Sequence, residues 1–324
     1  MTFHTSLTEL LGIRIPILNA PMTPQAGGAL AAAVSDAGGF GMLGFDEDEG
    51  EESIAAQAAM LGERPFGIGM SAWALDARPH LIDLAIRSRP KLVSISFGDP
   101  KPYVGKLRAA GILVASQVQS RAWAQTALDA GVDVVVAQGG EAGGHTGSVG
   151  TMVLMQIVLG MTDKPVLVAG GIATGRGVAA VLAAGAAGAW IGTPFLLARE
   201  SRSPEEARAR IAASNETQTI KTHVYDRLQH KPWPDEFAGR ALRNSFVERW
   251  HGREDELMQS QSAVDEFAKA KAERDYTRAH VYAGEAVGLI DRVESVAGIL
   301  GRLERETLER LHAVAKGFAC SSRT

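Results

Sequence analysis

The chain has 324 residues, 46% of them hydrophobic, a formal net charge of −4 and a single cysteine, Cys320. That length and apolar content can bury a full core, which excludes a disordered chain, and the slightly acidic balance offers no electrostatic footprint for nucleic acid. A lone cysteine excludes a disulfide framework and a cysteine-built metal site, so a reducing cytoplasm is the expected setting and a small molecule the expected partner.

The first residues, 1–16, show no basic stretch leading into an apolar one, so no secretory signal is read there. From that point short apolar strands, at 15–20, 40–43, 66–70, 92–96, 112–116, 133–137, 166–169 and 189–191, alternate with helix-like stretches at 26–37, 53–61, 79–88, 102–110, 120–130 and 175–184. Helix-stopping glycines stand in DAGG at 36–39 and DAGV at 129–132. Eight strand–helix units predict an α/β fold of the (β/α)8 TIM-barrel type, whose active site forms from the loops after the strand C-termini. The uncharged run 177–198 is long enough to span a bilayer. Gly185, Gly188, Gly192 and Pro194 divide it into a helix, a strand and a turn, so no membrane span is expected.

Composition changes after about Arg199, and three regions follow: residues 1–205 as the barrel, 206–280 as a mostly helical subdomain over its mouth, and 281–324 as a segment returning to the barrel. Residues 203–278 are rich in charge and helix formers, carry Trp233 and Trp250, and show no clear strand. Within 293–315, Val296, Ile299, Leu300, Leu303, Leu308 and Leu311 recur at helical spacing, which predicts an amphipathic helix against the barrel wall.

Three glycine-rich loops follow predicted strands. QGGEAGGHTG, at 138–147, ends near His145. A histidine on a flexible loop at a barrel mouth can act as a base or as a donor to a developing anion, because imidazole ionises at about pH 6.5. VLVAGGIATGRG at 166–177 and AWIGTPF at 189–195 supply paired glycines after buried strands. Backbone N–H groups there can approach an anion closely, and barrels commonly bind phosphate between the loops after strands seven and eight. The candidate cradle is Gly170, Gly171, Gly192 and Thr193. On its own GGIATG also fits a tight turn; the second glycine turn favours phosphate. The lysine of the Walker loop is missing, and the position in the seventh unit is wrong for a dinucleotide fingerprint.

Glu141 and His145 are four apart on a glycine loop rather than a helix face, so no metal is expected. His223, His230, His251, His280 and His312 lie in polar or helical surroundings that predict surface roles. Met22, Met70, Phe97, Met152 and Trp190 are candidate walls of an apolar pocket.

NAPM at 19–22, EAGGHTG at 141–147, AGGIATGRG at 169–177, IGTPF at 191–195 and YAGEAVGLID at 282–291 together resemble the motifs of the nitronate monooxygenase family, formerly called 2-nitropropane dioxygenases. The resemblance implies FMN held noncovalently at the top of a barrel. Its phosphate would lie on the loops of Gly170, Gly171, Gly192 and Thr193, its ring near Ala20, Pro21 and Met22, and Gly143, Gly144 and His145 on the substrate side. It also implies that nitronates are oxidised by O2 to a carbonyl compound and nitrite, with His145 orienting the nitro group or abstracting a proton. Two positions depart from the pattern. Gly69 stands where many members carry a flavin-contacting asparagine, and Gln117 where many carry a lysine; loss of that cation is expected to lower the flavin's reduction potential. A related family, the flavin-dependent enoyl-acyl carrier protein reductases, shares several of these motifs and consumes NADH or NADPH, and similar barrels reduce quinones, so an NAD(P)H oxidoreductase is the alternative. A noncatalytic phosphate-binding barrel is a third class. The sequence leaves oligomeric state open, a homodimer among the options.

Overall fold

Strands that are buried on both faces are mostly apolar, and the sequence supplies eight such runs in a parallel arrangement. The computed structural model describes residues 2–45 and 51–317; Cys320 lies outside them. The barrel strands are β1 (Ile17–Asn19), β2 (Gly41–Gly44), β3 (Phe66–Ser71), β4 (Leu92–Ser96), β5 (Leu113–Val118), β6 (Val134–Gln138), β8 (Val166–Ala169) and β9 (Gly188–Ile191). A short strand, β7 (Gly144–Thr146), intervenes after β6. The order is β1-β9-β8-β6-β5-β4-β3-β2, every pair parallel.

The seam between β2 and β1 is closed by a thinner set of contacts. Leu18 and Phe40 form a parallel bridge, and the Phe40 N–H donates to the Ile17 carbonyl at 3.0 Å. Above it, the buried Asn19 amide replaces a ladder rung: its Nδ2 donates to the Met42 carbonyl at 2.8 Å and its Oδ1 accepts the Met42 N–H at 2.8 Å. The asparagine of NAPM therefore ties the last strand pair together.

Side chains alternate across the barrel wall with the strand period of two. Val134, Val136, Leu167, Ala169 and Trp190 turn inward and meet Leu7 and Leu11 of the helix Ser6–Leu11, which plugs the barrel. Their neighbours Val135 and Ala137 face the outer helices. Those helices have local stop signals. Ser120 caps Arg121–Ala130 through the Trp123 N–H, and Gly131 ends it in the left-handed region at φ +85°. Thr174 caps Gly175–Ala183 through the Gly177 N–H; a cap of this kind contributes about 1 kcal/mol.

The final helix, Val296–Gly317, packs on Gly175–Ala183 with Ile299, Leu300 and Leu303 buried. Glu306 Oε2 accepts the Gly175 N–H at 2.9 Å, so the two helices are also joined by a polar contact.

The region 206–280 is mostly helical, but it holds two strands where none was expected. β10 (Thr219–Thr222) and β11 (Ala238–Leu242) form an antiparallel pair, and β11 continues onto β7 of the glycine loop. TIKT and AGRAL are too short and too polar to announce themselves by alternation. Behind them Val224, Tyr225, Phe246, Val247 and Phe267 form a separate cap core. Among the described residues no helix is long and apolar enough to cross a membrane.

Replacing Asn19 by alanine orphans a buried N–H and a buried carbonyl at the seam. The expected loss is about 2–4 kcal/mol, read as a lower denaturant midpoint at unchanged m-value; an unchanged midpoint would show that the seam does not need the amide.

Candidate active site

A cavity of about 580 Å³ opens at the C-terminal ends of the barrel strands, within the size range of cofactor and ligand sites. The structure brings all twelve sequence-predicted residues to its wall: Ala20, Pro21 and Met22 from the end of β1, Gly69 from β3, Gln117 from β5, Gly143, Gly144 and His145 from the loop after β6, Gly170 and Gly171 after β8, and Gly192 and Thr193 after β9. Met22, Met70, Phe97 and Trp190 also line it, as expected of wall residues. Met152 does not; it stands 59% exposed on the outer side of helix Thr151–Leu159.

Backbone geometry explains several of the glycines. Gly170 and Gly171 adopt φ of +102° and +71°, a region that side chains strain to enter. At Gly143 a Cβ would fall 2.5 Å from the Gly284 backbone nitrogen, so the glycine loop and the segment around 284 approach backbone to backbone. Thr193 reinforces that approach, its Oγ1 accepting the Gly284 N–H at 3.0 Å. At Gly69 a Cβ would stand 2.2 Å from Pro21 Cγ. The proline ring occupies the space into which an asparagine at 69 would start, so this departure is matched by the local packing. Gln117 borders the cavity beside β4, with its Nε2 3.4 Å from Ser96 Oγ.

His145 was expected on a flexible loop, and the structure corrects this. It lies in β7, opposite Gly239 of β11, where ladder bonds fix the backbone. Arg240, next along β11, donates from Nε and Nη2 to the Gly140 carbonyl at 3.0 and 2.8 Å, tying the cap to the loop's start. The imidazole stacks on Trp233 with centroids 3.4 Å apart and planes 6° from parallel. Trp233 is braced edge-on by Trp73 and Phe97. Nε2 of His145 lies 2.8 Å from Asp226 Oδ1, and both side chains are nearly buried.

Glu141 serves a different purpose from the histidine. Its carboxylate accepts the Thr151 N–H and hydroxyl at 2.8 and 2.6 Å, capping helix Thr151–Leu159.

Sequence reasoning missed Asp226, Tyr282, His280 and the stacking of Trp233. Tyr282 donates its hydroxyl to Asp226 Oδ1 at 3.3 Å, and burial, with Asp226 alongside, holds that phenol well above its ordinary ionisation range. His280 is not a surface residue. It borders the cavity between Tyr225 and Tyr282, with Nδ1 buried and without a hydrogen-bond partner among the described residues. Burial, aided by the charge of Lys271, pushes its pKa down to about 4. His230 and His312 are exposed as expected, whereas His223 is partly buried with Nδ1 3.4 Å from Asp226 Oδ2. Only the YAGEAVGLID motif signalled Tyr282; nothing local to Asp226 or His280 marks them.

Residues 76–306 match the family model described as nitronate monooxygenase. The chain belongs to the nitronate monooxygenase family. It is 32% identical to a nitronate monooxygenase of Neurospora crassa, the match covering 92% of this chain and 90% of that protein. It is 39% identical to the (3aS,4S,5R,7aS)-5-hydroxy-7a-methyl-1-oxo-octahydro-1H-indene-4-carboxyl-CoA dehydrogenase of Rhodococcus jostii, over 71% of this chain and 65% of that protein's length. The structure of FabK from Thermotoga maritima superposes with a TM-score of 0.85 at 30% identity, covering 98% of this chain and all of that one. Family and fold together make the protein an oxidoreductase of a flavin-enzyme family built on a TIM barrel.

The depressed pKa of His280 has a consequence for stability. Its ring stays neutral in the folded chain to about pH 4 but protonates near pH 6.5 when unfolded, so between these values the unfolded chain binds more protons. The contribution is fully present above pH 6.5 and is lost as pH falls toward 4, to an upper bound of about 3 kcal/mol. His280→Phe is expected to flatten the fall in unfolding free energy over that window; an identical pH slope in wild type and variant would refute the assignment.

Proposed function

We propose that the protein is an FMN-dependent nitronate monooxygenase that oxidises alkyl nitronates with O2 to a carbonyl compound and nitrite. The observation that carries this reading is the single cavity that holds both a side-chain-free glycine cradle and a histidine backed by a carboxylate. The residues present fit the cofactor. Gly170, Gly171, Gly192 and Thr193 would receive the phosphate on backbone N–H groups at the cavity wall, and the apolar strip of Ala20, Pro21 and Met22 would lie against the ring, with Gly69 and Gln117 beside it. When bound, FMN accepts electrons from the substrate and passes them to oxygen.

The chain's own groups bind and orient. Gly144 borders the cavity, and a Cβ there would meet nothing within 4 Å. His145 would hold the nitro group or take a proton from the carbon beside it. Trp233, Trp73 and Phe97 form an aromatic wall that excludes water next to the imidazole, which strengthens its polar interactions. The small-molecule substrate, O2 and FMN are the only partners this reading requires.

A second reading is favoured by one observation: the 39% identical relative is named as a dehydrogenase of a CoA thioester. On that reading the flavin would exchange electrons with a thioester substrate or, as for the enoyl and quinone reductases, with NADH or NADPH.

The deciding measurement is the anaerobic visible spectrum of purified flavin-loaded protein. Addition of a short-chain alkyl nitronate alone is expected to bleach the flavin. Bleaching by NADH or NADPH in parallel samples, with none by nitronate, would move the assignment to the second reading. Independently, Gln117→Lys is expected to raise the flavin midpoint potential by restoring a cation near the ring; a potential equal to wild type would show that position 117 does not tune it.

A further inference from the structure

His145 has two ring nitrogens with different surroundings. Nε2 faces Asp226 Oδ1 at 2.8 Å. That same oxygen receives the Tyr282 hydroxyl, which stays protonated and so arrives as a donor. As a carboxylate, that oxygen has no hydrogen to give and is an acceptor toward the histidine too. Nε2 must therefore supply an N–H. In the neutral ring the lone pair is then on Nδ1, which has no hydrogen-bond partner among the described residues, on a ring that borders the cavity.

We propose that Asp226 is a positioning residue that fixes the Nε2–H form of His145, so that Nδ1 is the atom with which His145 meets the substrate. The proposal rests on the monooxygenase reading for the identity of the substrate, but not for the state of the ring. With a nitroalkane, the C–H bond beside the nitro group breaks, its electron pair delocalises into that group to give the nitronate, and the proton goes to Nδ1. The resulting imidazolium donates from Nε2 to Asp226 and from Nδ1 to a nitronate oxygen, with no net change in electrons. With a nitronate supplied directly, the ring must enter already protonated, and Nδ1–H is the donor that holds it. The two substrates thus require opposite protonation states of one residue.

The groups facing this pair come from several elements. Helix Val224–Leu228 contributes Asp226 itself, His223 precedes it, and residues 280–282 bring Tyr282 and His280, the latter held neutral. Arg202, Lys231, Lys271 and Glu141 complete the charged lining of the cavity. Of these, only the Asp226 carboxylate reaches a ring nitrogen of His145.

The test is nitrogen NMR of the flavin-loaded protein, 15N-labelled at histidine and free of substrate, with a His145→Gln sample identifying the signals. The expected pattern is a bare Nδ1 and a protonated Nε2. In Asp226→Asn the amide can turn its own NH2 toward Nε2, as in a hydrolase triad where that exchange installs the wrong tautomer. The Nδ1–H form should then appear, and kcat for nitroalkane should drop by about 10²–10⁴-fold with flavin content unchanged. Asp226→Ala guards against an amide that keeps its oxygen toward the ring, and should give a mixture of tautomers. Tyr282→Phe should leave the tautomer as it is. A wild-type ring protonated on Nδ1, or both Asp226 variants retaining the wild-type tautomer and activity, would overturn the proposal. Because the spectra are recorded without substrate, failure to oxidise nitronates would count against the functional reading and leave the ring assignment standing.

Discussion

The antiparallel ladder between β7 and β11 is the contact on which the geometry of the site depends. Gly144, His145 and Thr146 pair with Arg240, Gly239 and Ala238, so a barrel loop and a cap strand become one sheet. Without those bonds the stretch would be a glycine-rich connection, with the high chain entropy that glycine brings. With them, His145 has a fixed backbone, and Asp226, four residues past the neighbouring strand β10, is carried into reach of its ring. Trp233, in the connection between β10 and β11, is delivered to the face of the same imidazole. One short sheet thus sets the position, the hydrogen bond and the stacking of a single side chain.

That sheet is held at its other edge by close backbone approach. The loop holding Gly143 and the segment holding Gly284 come too near for any side chain, and the Glu285 N–H donates to the Glu141 carbonyl at 3.0 Å. Glu141 in turn caps helix Thr151–Leu159 with its carboxylate. The loop after β6 is therefore gripped from three directions: by β11, by the returning segment 281–290 and by the helix that follows it. Arg240 adds a fourth tie through its guanidinium to Gly140 and an ion pair with Glu285 at 3.1 Å. A barrel supplies the platform, but the precision of the candidate catalytic group comes from the cap.

This division explains what could be seen in the sequence. The barrel strands were legible because a wall buried on both faces demands runs such as VVVA and VLVA, and glycine pairs directly after such strands mark loops at the mouth. The helix over 296–317 was legible from its periodic Ile299, Leu300 and Leu303. The cap strands were not, because TIKT and AGRAL lie at a surface where short, half-polar strands are set by their partners rather than by their own pattern. Asp226 and His280 were invisible for a related reason: a carboxylate 81 positions from its histidine leaves no spacing signal, and a lone histidine among charges reads as surface until the packing around it is known. Met152 shows the converse error, an apolar residue that alternation alone cannot assign to the inner side of a helix.

The cost of the arrangement argues for its purpose. Asp226 is 5% exposed at its side chain, and its Oδ2 has no hydrogen bond within the described residues, although His223 lies nearby. Removing a carboxylate from water costs several kcal/mol, and a pair with a histidine and a long bond from a phenol recover only part of that. His280, with its own unmet ring nitrogen, adds a second polar group left incompletely paired in the same few cubic nanometres. A cap selected for stability alone would fill these places with apolar side chains of similar volume, as it does with Phe267 beside His280 and with Phe246 behind it. The polar atoms are instead gathered around the His145 imidazole at the cavity wall, which is where electrostatic preorganisation acts on a substrate rather than on the fold.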